Sequence, residues 1–219
     1  MVVLEHLPEF FNGFIITVEF TLFGVFAGLG FGTLLAIGDL YGGKIISTAI
    51  RIYVEFFRGS PIVIQLFIFY YAIPNMFKTI IDPFIAGLLV FSLNSAAYQK
   101  GYIKGAIEAI STDQMTAALS IGLSKVQAIA YVILPQALRL VLPAWGNEFC
   151  SLTKSTSALL VITVMDITAY GRHLATLSFK YLEIYSFVAV VYLIWITATM
   201  KILDVVYEKV KIPGIEISA

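Results

Sequence analysis

The sequence predicts an all-α polytopic membrane protein with five transmembrane helices and a cytoplasmic helical hairpin, built as one domain over residues 1–219 with the hairpin region at about 100–139. Three observations predict it. The composition is 59% hydrophobic and only 13% charged, with a mean hydropathy of +0.91, whereas soluble domains carry about 25% charged residues. The apolar residues gather into charge-free runs close to the roughly 20 residues that a helix needs to cross the hydrocarbon core. Between the third and fourth runs, residues 100–139 carry helix-capping signals and too many polar residues to cross.

The same numbers exclude several classes of function. So few charges cannot cover a water-facing surface, which excludes a secreted or cytosolic globular enzyme. The balance of 14 basic against 14 acidic residues excludes an overall basic nucleic-acid binder. Cys150 is alone and cannot form an internal disulfide, and His6 and His173 are too few for a zinc, haem or iron–sulfur ligand cluster. The stretch Met1 to Asn12 has no Lys or Arg and contains Glu5, His6 and Glu9, unlike the charged start of a cleavable signal peptide. The membrane segments themselves are expected to direct insertion.

In chain order, the first run is Phe20 to Gly38. Its Gly24, Gly28 and Gly32, spaced by four, form one small-residue face that lets another helix approach closely, and Glu19 is expected at the interface or facing protein. The second run is Gly59 to Phe77, and the third, Pro83 to Gln99, is short and ends in polar residues. The fourth, Leu140 to Met165, is interrupted by Glu148 and Lys154; the fifth, Ile184 to Met200, continues past Lys201 to about Val206. Lys44, Arg51, Arg58, Lys100, Lys104, Lys125, Arg139, Lys201, Lys209 and Lys211 fall on one side, against Lys78, Arg172 and Lys180 on the other. The positive-inside rule then places the N-terminus outside and the long loop and C-terminus in the cytoplasm.

Within the long loop, Ser111 with Gln114 and Ser124 with Gln127 match capping boxes. Gly122 lies between them as a left-handed C-cap, and Pro135 is expected to close the second helix. Such a hairpin either packs on the bundle as an interfacial element or receives a cytoplasmic partner. Two near-matches to catalytic motifs carry little. Gly38, Gly43 and Lys44 fit the start of a phosphate-binding loop, but Ile45 replaces the hydroxyl residue and the motif follows a membrane helix instead of a strand, so a glycine-rich turn is the simpler reading. Ser151 and Lys154 have the spacing of a nucleophile and base, which makes an intramembrane hydrolase an alternative, although no oxyanion-donor loop accompanies them.

Asn147, Ser151 and Lys154 share one face of the fourth run, with Glu148 and Ser155 on the adjoining stripe. Ionisable groups at this depth cost at least about 2.5 kcal/mol on insertion scales, so they face protein or a wet cavity. Six residues apart, Glu148 and Lys154 point about 120° from one another on an ideal helix, and their partners must come from elsewhere. Asn147 and Glu148 read equally well as groups that satisfy helix ends near kinks at Pro143 and Gly146.

Thr116-Ala117-Ala118, Gly122 and Val132-Ile133-Leu134-Pro135 together resemble the signature loop of permease subunits in bacterial and archaeal ATP-binding-cassette importers, with a type I importer fold. Gln136-Ala137-Leu138-Arg139, Arg58-Gly59-Ser60-Pro61 with Gln65, Asn94-Ser95-Ala96-Ala97-Tyr98, Gly146-Asn147-Glu148-Phe149, and Lys154 with Ser155 and Thr156 resemble the polar amino acid branch, which takes up His, Glu, Gln, Arg or opines. The similarity runs from about residue 10 to about 208. It implies a coupling helix at Thr116, Ala117, Ala118, Gly122, Leu134 and Pro135 that sits in a cleft of an ATPase subunit. It implies substrate contacts at Asn94, Lys154 and Ser155, and a gate shaped by Arg58, Gly59, Pro61 and Gln65. Thr116, Ser155 and Gly101 stand where relatives often have acids, and Lys104 where they often have Arg. The expected partners are a second permease copy or paralogue, two cytoplasmic ATP-binding subunits, an external solute-binding protein, an amino acid and membrane lipid, with no nucleic acid. The chain itself is expected to hold no cofactor, ATP and Mg²⁺ belonging to the ATPase, and to reside in a prokaryotic plasma membrane. The function so implied is alternating-access import; a passive channel is a further alternative.

Overall fold

The computed structural model of the chain describes residues 2–110 and 112–211. After a single turn at Val2–Glu5, the elements are α1 (Leu7–Tyr41), α2 (Gly43–Gly59), α3 (Ile62–Met76), α4 (Pro83–Ala109), α5 (Thr112–Ser120), α6 (Lys125–Ile162), α7 (Ile167–Ser178) and α8 (Tyr181–Val210). Among the described residues every element is helical. Three helices, α1, α6 and α8, are individually long and apolar enough to cross a membrane, and a fourth crossing is available if the bent pair α2 and α3 acts as one.

The α1 helix is longer than its charge-free run because its outer turns are apolar as well, reaching back to Leu7. The glycine face packs against α4 as its spacing predicts. A Cβ on Gly28 would lie 2.7 Å from the Ser95 side chain, and one on Gly32 would lie 3.0 Å from the Lys100 backbone nitrogen. Farther out, a Cβ on Gly24 would meet Leu152 at 2.7 Å, so α6 reaches the same seam. The polar residues that make α4 look short as a span, Asn94, Ser95 and Gln99, are buried here against α1 and its other neighbours. Gln99 Nε2 donates 2.8 Å to the Val25 carbonyl. Phe20, Val90, Phe91 and Leu152 close the core around this seam.

The second expected span is different. Residues before α3, between the first two apolar runs, form a separate amphipathic helix, α2, and the α2–α3 pair bends by 108° at Ser60 and Pro61. Ser60 is extended (φ −113°, ψ 143°) because the residue before a proline is excluded from helical space. The missed signal is Lys44, Arg51, Glu55 and Arg58 at helical spacing in an otherwise apolar stretch.

At the C-terminal end of α1, Asp39 receives Lys100 Nζ at 2.6 Å, Lys104 Nζ at 2.9 Å and Ser47 Oγ at 2.5 Å, tying α1, α2 and α4 together. At the opposite end, Asp166 caps α7 through Ala169 N–H at 2.8 Å and accepts the Thr156 and Tyr192 hydroxyls, each at 3.2 Å. That network joins α6, α7 and α8. The α8 helix is otherwise mostly exposed, with 6% of its most apolar window buried, as befits a lipid-facing helix.

In the hairpin, Gly122 has φ +89° and ends α5, with Leu123 N–H bonded to the Ala118 carbonyl at 3.2 Å. The Ser124 and Gln127 capping box is formed in both directions; the Ser111 box lies outside the described residues. Pro135 does not close the second hairpin helix. A π-turn over Ile129–Ile133 carries the chain onward, and Pro135 then sits in the first turn of the resumed α-helix, Leu134–Ser155, where its missing N–H forfeits no regular bond. The α6 helix is therefore continuous for 38 residues, from the hairpin through the fourth expected span.

Gly28→Leu is predicted to destabilise the detergent-solubilised protein by about 1–3 kcal/mol or more through overpacking, while Gly30→Leu, whose Cβ would meet nothing within 4 Å, leaves the unfolding midpoint unchanged. Equal midpoints for the two variants would contradict the packing described.

Candidate functional site

The break between α2 and α3 opens a cleft of about 360 Å³ against α4 and α6. Ser60 and Pro61 interrupt the helical ladder, so the carbonyls of Phe57 and Ser60 need partners from outside it. Gln65, fully buried on the first turns of α3, supplies them: its Nε2 lies 2.8 Å from the Phe57 oxygen and 2.9 Å from the Ser60 oxygen. Gln65 Oε1 in turn accepts Asn94 Nδ2 at 3.0 Å, and Asn94 Nδ2 reaches the Phe57 oxygen at 3.3 Å. Asn94 thus spends its amide hydrogens on the bend and keeps Oδ1 as an acceptor.

Two charges border this cleft. Arg58, the last basic residue of α2, places its guanidinium 5.2 Å from the centre of the Tyr98 ring, a cation–π contact. Glu148, on α6, is 4% exposed and accepts the Ser95 hydroxyl at 2.8 Å. Ser95 Oγ also accepts Gln99 Nε2 at 3.0 Å, which continues the network to the α1 backbone. Ser60, Tyr98, Ser151 and Ser155 add hydroxyls to the wall. A cleft with one cation, one anion, an amide oxygen and four hydroxyls can hold a small solute that carries both signs of charge.

Of the residues singled out from the sequence, Asn94, Ser155, Arg58, Gly59 and Pro61 line this cleft, and Gln65 lies behind its wall. Lys154 is exposed beside Ser155 and is not part of the lining. Ser151 lines the cleft while Lys154 lies outside it, and no hydrogen bond joins the two side chains among the described residues. Thr116, Ala117, Ala118 and Gly122 are in the hairpin at the far end of α6, with Leu134 and Pro135 where the α-helix resumes. Sequence reasoning assigned no site role to Tyr98 or Ser95; both belong to the quoted Asn94 to Tyr98 segment, and only the crossing of α4 with α2 and α6 gives them partners.

Gln65→Leu is predicted to cost about 1–3 kcal/mol, because it removes the donor to the Ser60 carbonyl and the acceptor of one Asn94 amide hydrogen, and leaves the Phe57 oxygen only its 3.3 Å bond from Asn94. The unfolding midpoint measures this; a midpoint equal to that of the native protein would show that the bend does not depend on Gln65.

Residues 28–211 match the family model described as a binding-protein-dependent transport system inner membrane component. The chain is 38% identical over 189 residues to the glutamine transport system permease protein GlnP of Escherichia coli (strain K12), covering 86% of each chain. It is 36% identical over 183 residues to the L-cystine transport system permease protein TcyL of Bacillus subtilis (strain 168), covering 81% of this chain and 77% of the other. Among solved structures it resembles an amino acid ABC transporter crystallised with histidines, with a TM-score of 0.85 and 30% identity over 95% of this chain and 97% of that one. It also shares the fold of the inward-facing MetNI methionine ABC transporter, with a TM-score of 0.72 and 20% identity over 94% of this chain and 96% of that one.

Proposed function

The chain belongs to the family of binding-protein-dependent transport system inner membrane components, and on that premise we propose that it is the membrane-spanning subunit of an ATP-driven importer for a polar amino acid. It is a permease, a translocation component rather than an enzyme, and its family implies ATPase partners and permease pairing. Neither the Ser151/Lys154 hydrolase nor the passive channel gains support from relatives of this kind.

The observation that carries the mechanism is the continuity of α6. The same 38-residue helix begins in the hairpin and bears Glu148, Ser151 and Ser155 at the cleft. The hairpin surface suits a protein partner: Leu119, Ile121 and Val126 are 45%, 79% and 76% exposed, an apolar patch that water does not favour. Thr116 and Ala117 are exposed beside them, and Ala118 is buried against the bundle. In this reading two cytoplasmic ATPase subunits, which bind ATP and Mg²⁺, seat on the hairpins of a pair of permeases. Their closure draws the hairpins together and turns the clefts outward, where an external solute-binding protein delivers the substrate.

Five crossings with the N-terminus outside fit the excess of basic residues in the hairpin region and C-terminal tail. The crossing by α4 needs no uniformly apolar face, because its polar residues are covered by protein. The substrate class follows from relatives named for glutamine and L-cystine and from a cleft that holds both signs of charge. Asn94 and Ser155 contact the substrate within the cleft. An exposed lysine in an apolar segment needs a wet or protein neighbour, which supports reading Lys154 as a residue of the translocation path that faces the paired permease.

In vesicles reconstituted with the partner ATPase and binding protein, amino acid uptake is predicted to require ATP. The paired change Ile121→Asp with Val126→Asp lowers ATPase affinity by about tenfold or more, and Lys154→Ala reduces uptake with the ATPase still bound. Uptake that proceeds without ATP, or full uptake in both variants, would contradict the proposal.

A further inference from the structure

Glu19 stands at the edge of the first apolar run, and nothing in the described fold answers its charge. It is exposed on α1 and forms no hydrogen bond or ion pair with a described residue. Its depth follows from helix geometry. Glu19 and Asp39 bracket the charge-free run and stand 20 residues apart, about 30 Å along a helix, which is the thickness of the hydrocarbon core. Asp39, at one boundary, is answered by Lys100 and Lys104; Glu19, at the other, is not. The start of α4 marks the same level. Phe84, in its first turn, packs edge-on against Phe20 with ring centroids 4.7 Å apart, and Asp82 caps the helix just before it. From Glu19 an open groove of about 870 Å³ runs between α1 and α4, walled by Leu22, Phe23 and Phe26 on one side and Phe84 and Leu88 on the other. Leu22, Phe23 and Phe26 are exposed, and Glu19 is the one charged residue among the described lining. Between Glu19 and Phe26 the groove descends about 10 Å into the hydrocarbon core. An anion at the boundary above an apolar trough matches a cationic headgroup above an acyl chain. A soluble cation would use the carboxylate alone and leave the trough without an occupant.

We propose that this groove binds a phospholipid with a primary ammonium headgroup, such as phosphatidylethanolamine, from the leaflet on the N-terminal side of α1. The ammonium donates to the Glu19 carboxylate, and one acyl chain lies along Phe23 and Phe26. A primary ammonium brings three N–H donors, and a donor and acceptor that are both charged make the stronger kind of hydrogen bond. A quaternary ammonium has no N–H to donate. A headgroup with a phosphate and no amine would set its negative charge beside the carboxylate with nothing to offset it. The site therefore distinguishes lipids by headgroup, with the apolar trough adding affinity that every headgroup shares. It lies on α1 and the start of α4, and does not depend on which solute the chain translocates.

The test uses the full chain purified with its bound subunits, stripped of lipid in detergent, and reads the affinity of the first lipid bound by native mass spectrometry. The probes are phosphatidylethanolamine, phosphatidylcholine and phosphatidylglycerol with the same acyl chains. The native protein binds phosphatidylethanolamine about tenfold or more tightly than the other two, the scale of a charge-assisted hydrogen bond. Glu19→Gln removes that preference and leaves phosphatidylcholine affinity unchanged, Glu19→Asp keeps part of it, and Phe23→Ala weakens all three lipids while the preference remains. The lipid-free unfolding midpoint of Glu19→Gln equals the native one, because the side chain supports no described contact. Equal affinity for the three lipids in the native protein would mean nonspecific annular contact only and overturns the proposal. So does a preference that survives Glu19→Gln, or a lowered lipid-free midpoint in that variant, which would mark a structural role. In native membranes, Leu22→Cys in a Cys150→Ser background forms no bis-maleimide cross-link to a second permease or another subunit; an efficient cross-link would put protein in the groove and overturns the lipid assignment.

Discussion

The close seam between α1 and α4 is the contact on which the rest of the molecule depends. Glycines at positions 24, 28 and 32 remove the side chains that would hold the two helices apart, and Ser95 and Gln99 move into the space. Only at that distance can Gln99 reach the Val25 carbonyl, and only then does Ser95 stand where Glu148 of α6 can use it. In a membrane no general hydrophobic force drives helices together, so short contacts and interhelical hydrogen bonds of this kind set the packing. The Asp39 cluster ties one end of the seam to α2, and the Asp166 cluster joins α6 to α7 and α8.

A second feature converts this packing into a device. The cleft forms where α2 and α3 are broken at Ser60 and Pro61, and the broken ends are held by Gln65 and Asn94. Its opposite wall is α6, which is not broken between the hairpin and the cleft. One wall is thus tied to α4 through Asn94, while the other belongs to an element that extends into the hairpin. A displacement of the hairpin is carried along α6 to Glu148, Ser151 and Ser155. The alternating-access reading requires such a link between nucleotide-driven closure and the substrate path.

Much of this was legible in the sequence. The glycine spacing announced the seam, the Ser124–Gln127 box and Gly122 announced the hairpin, and the polar stripe on the fourth run placed Ser151 and Ser155 on a wet face. The failures have physical causes. The run Gly59 to Phe77 corresponds to α3 and begins at the bend, where Pro61 excludes Ser60 from helical space; a measure of mean apolarity does not register the 108° turn from α2. The amphipathic α2 is not among the charge-free runs because Lys44, Arg51, Glu55 and Arg58 interrupt it. Pro135 misled in the opposite direction: a proline ends most helices, but a π-turn just before it lets the chain pass without losing a bond. Arg58 illustrates the limit most clearly. In the sequence it is a basic residue to which the family resemblance gives a place at the gate; the crossing of α2 with α4 makes it the cation of the cleft.

The central claim is that α6 transmits hairpin motion to the cleft as one continuous element. Softening the helix between the two ends tests this directly. Gln136→Gly with Arg139→Gly adds flexibility at partly exposed and exposed positions, at roughly 1 kcal/mol each, without touching the hairpin surface or the cleft. Reconstituted with the ATPase and binding protein, this variant should keep ATP hydrolysis near the native rate while the number of amino acids imported per ATP falls severalfold. A native ratio of import to hydrolysis in that variant would contradict the claim.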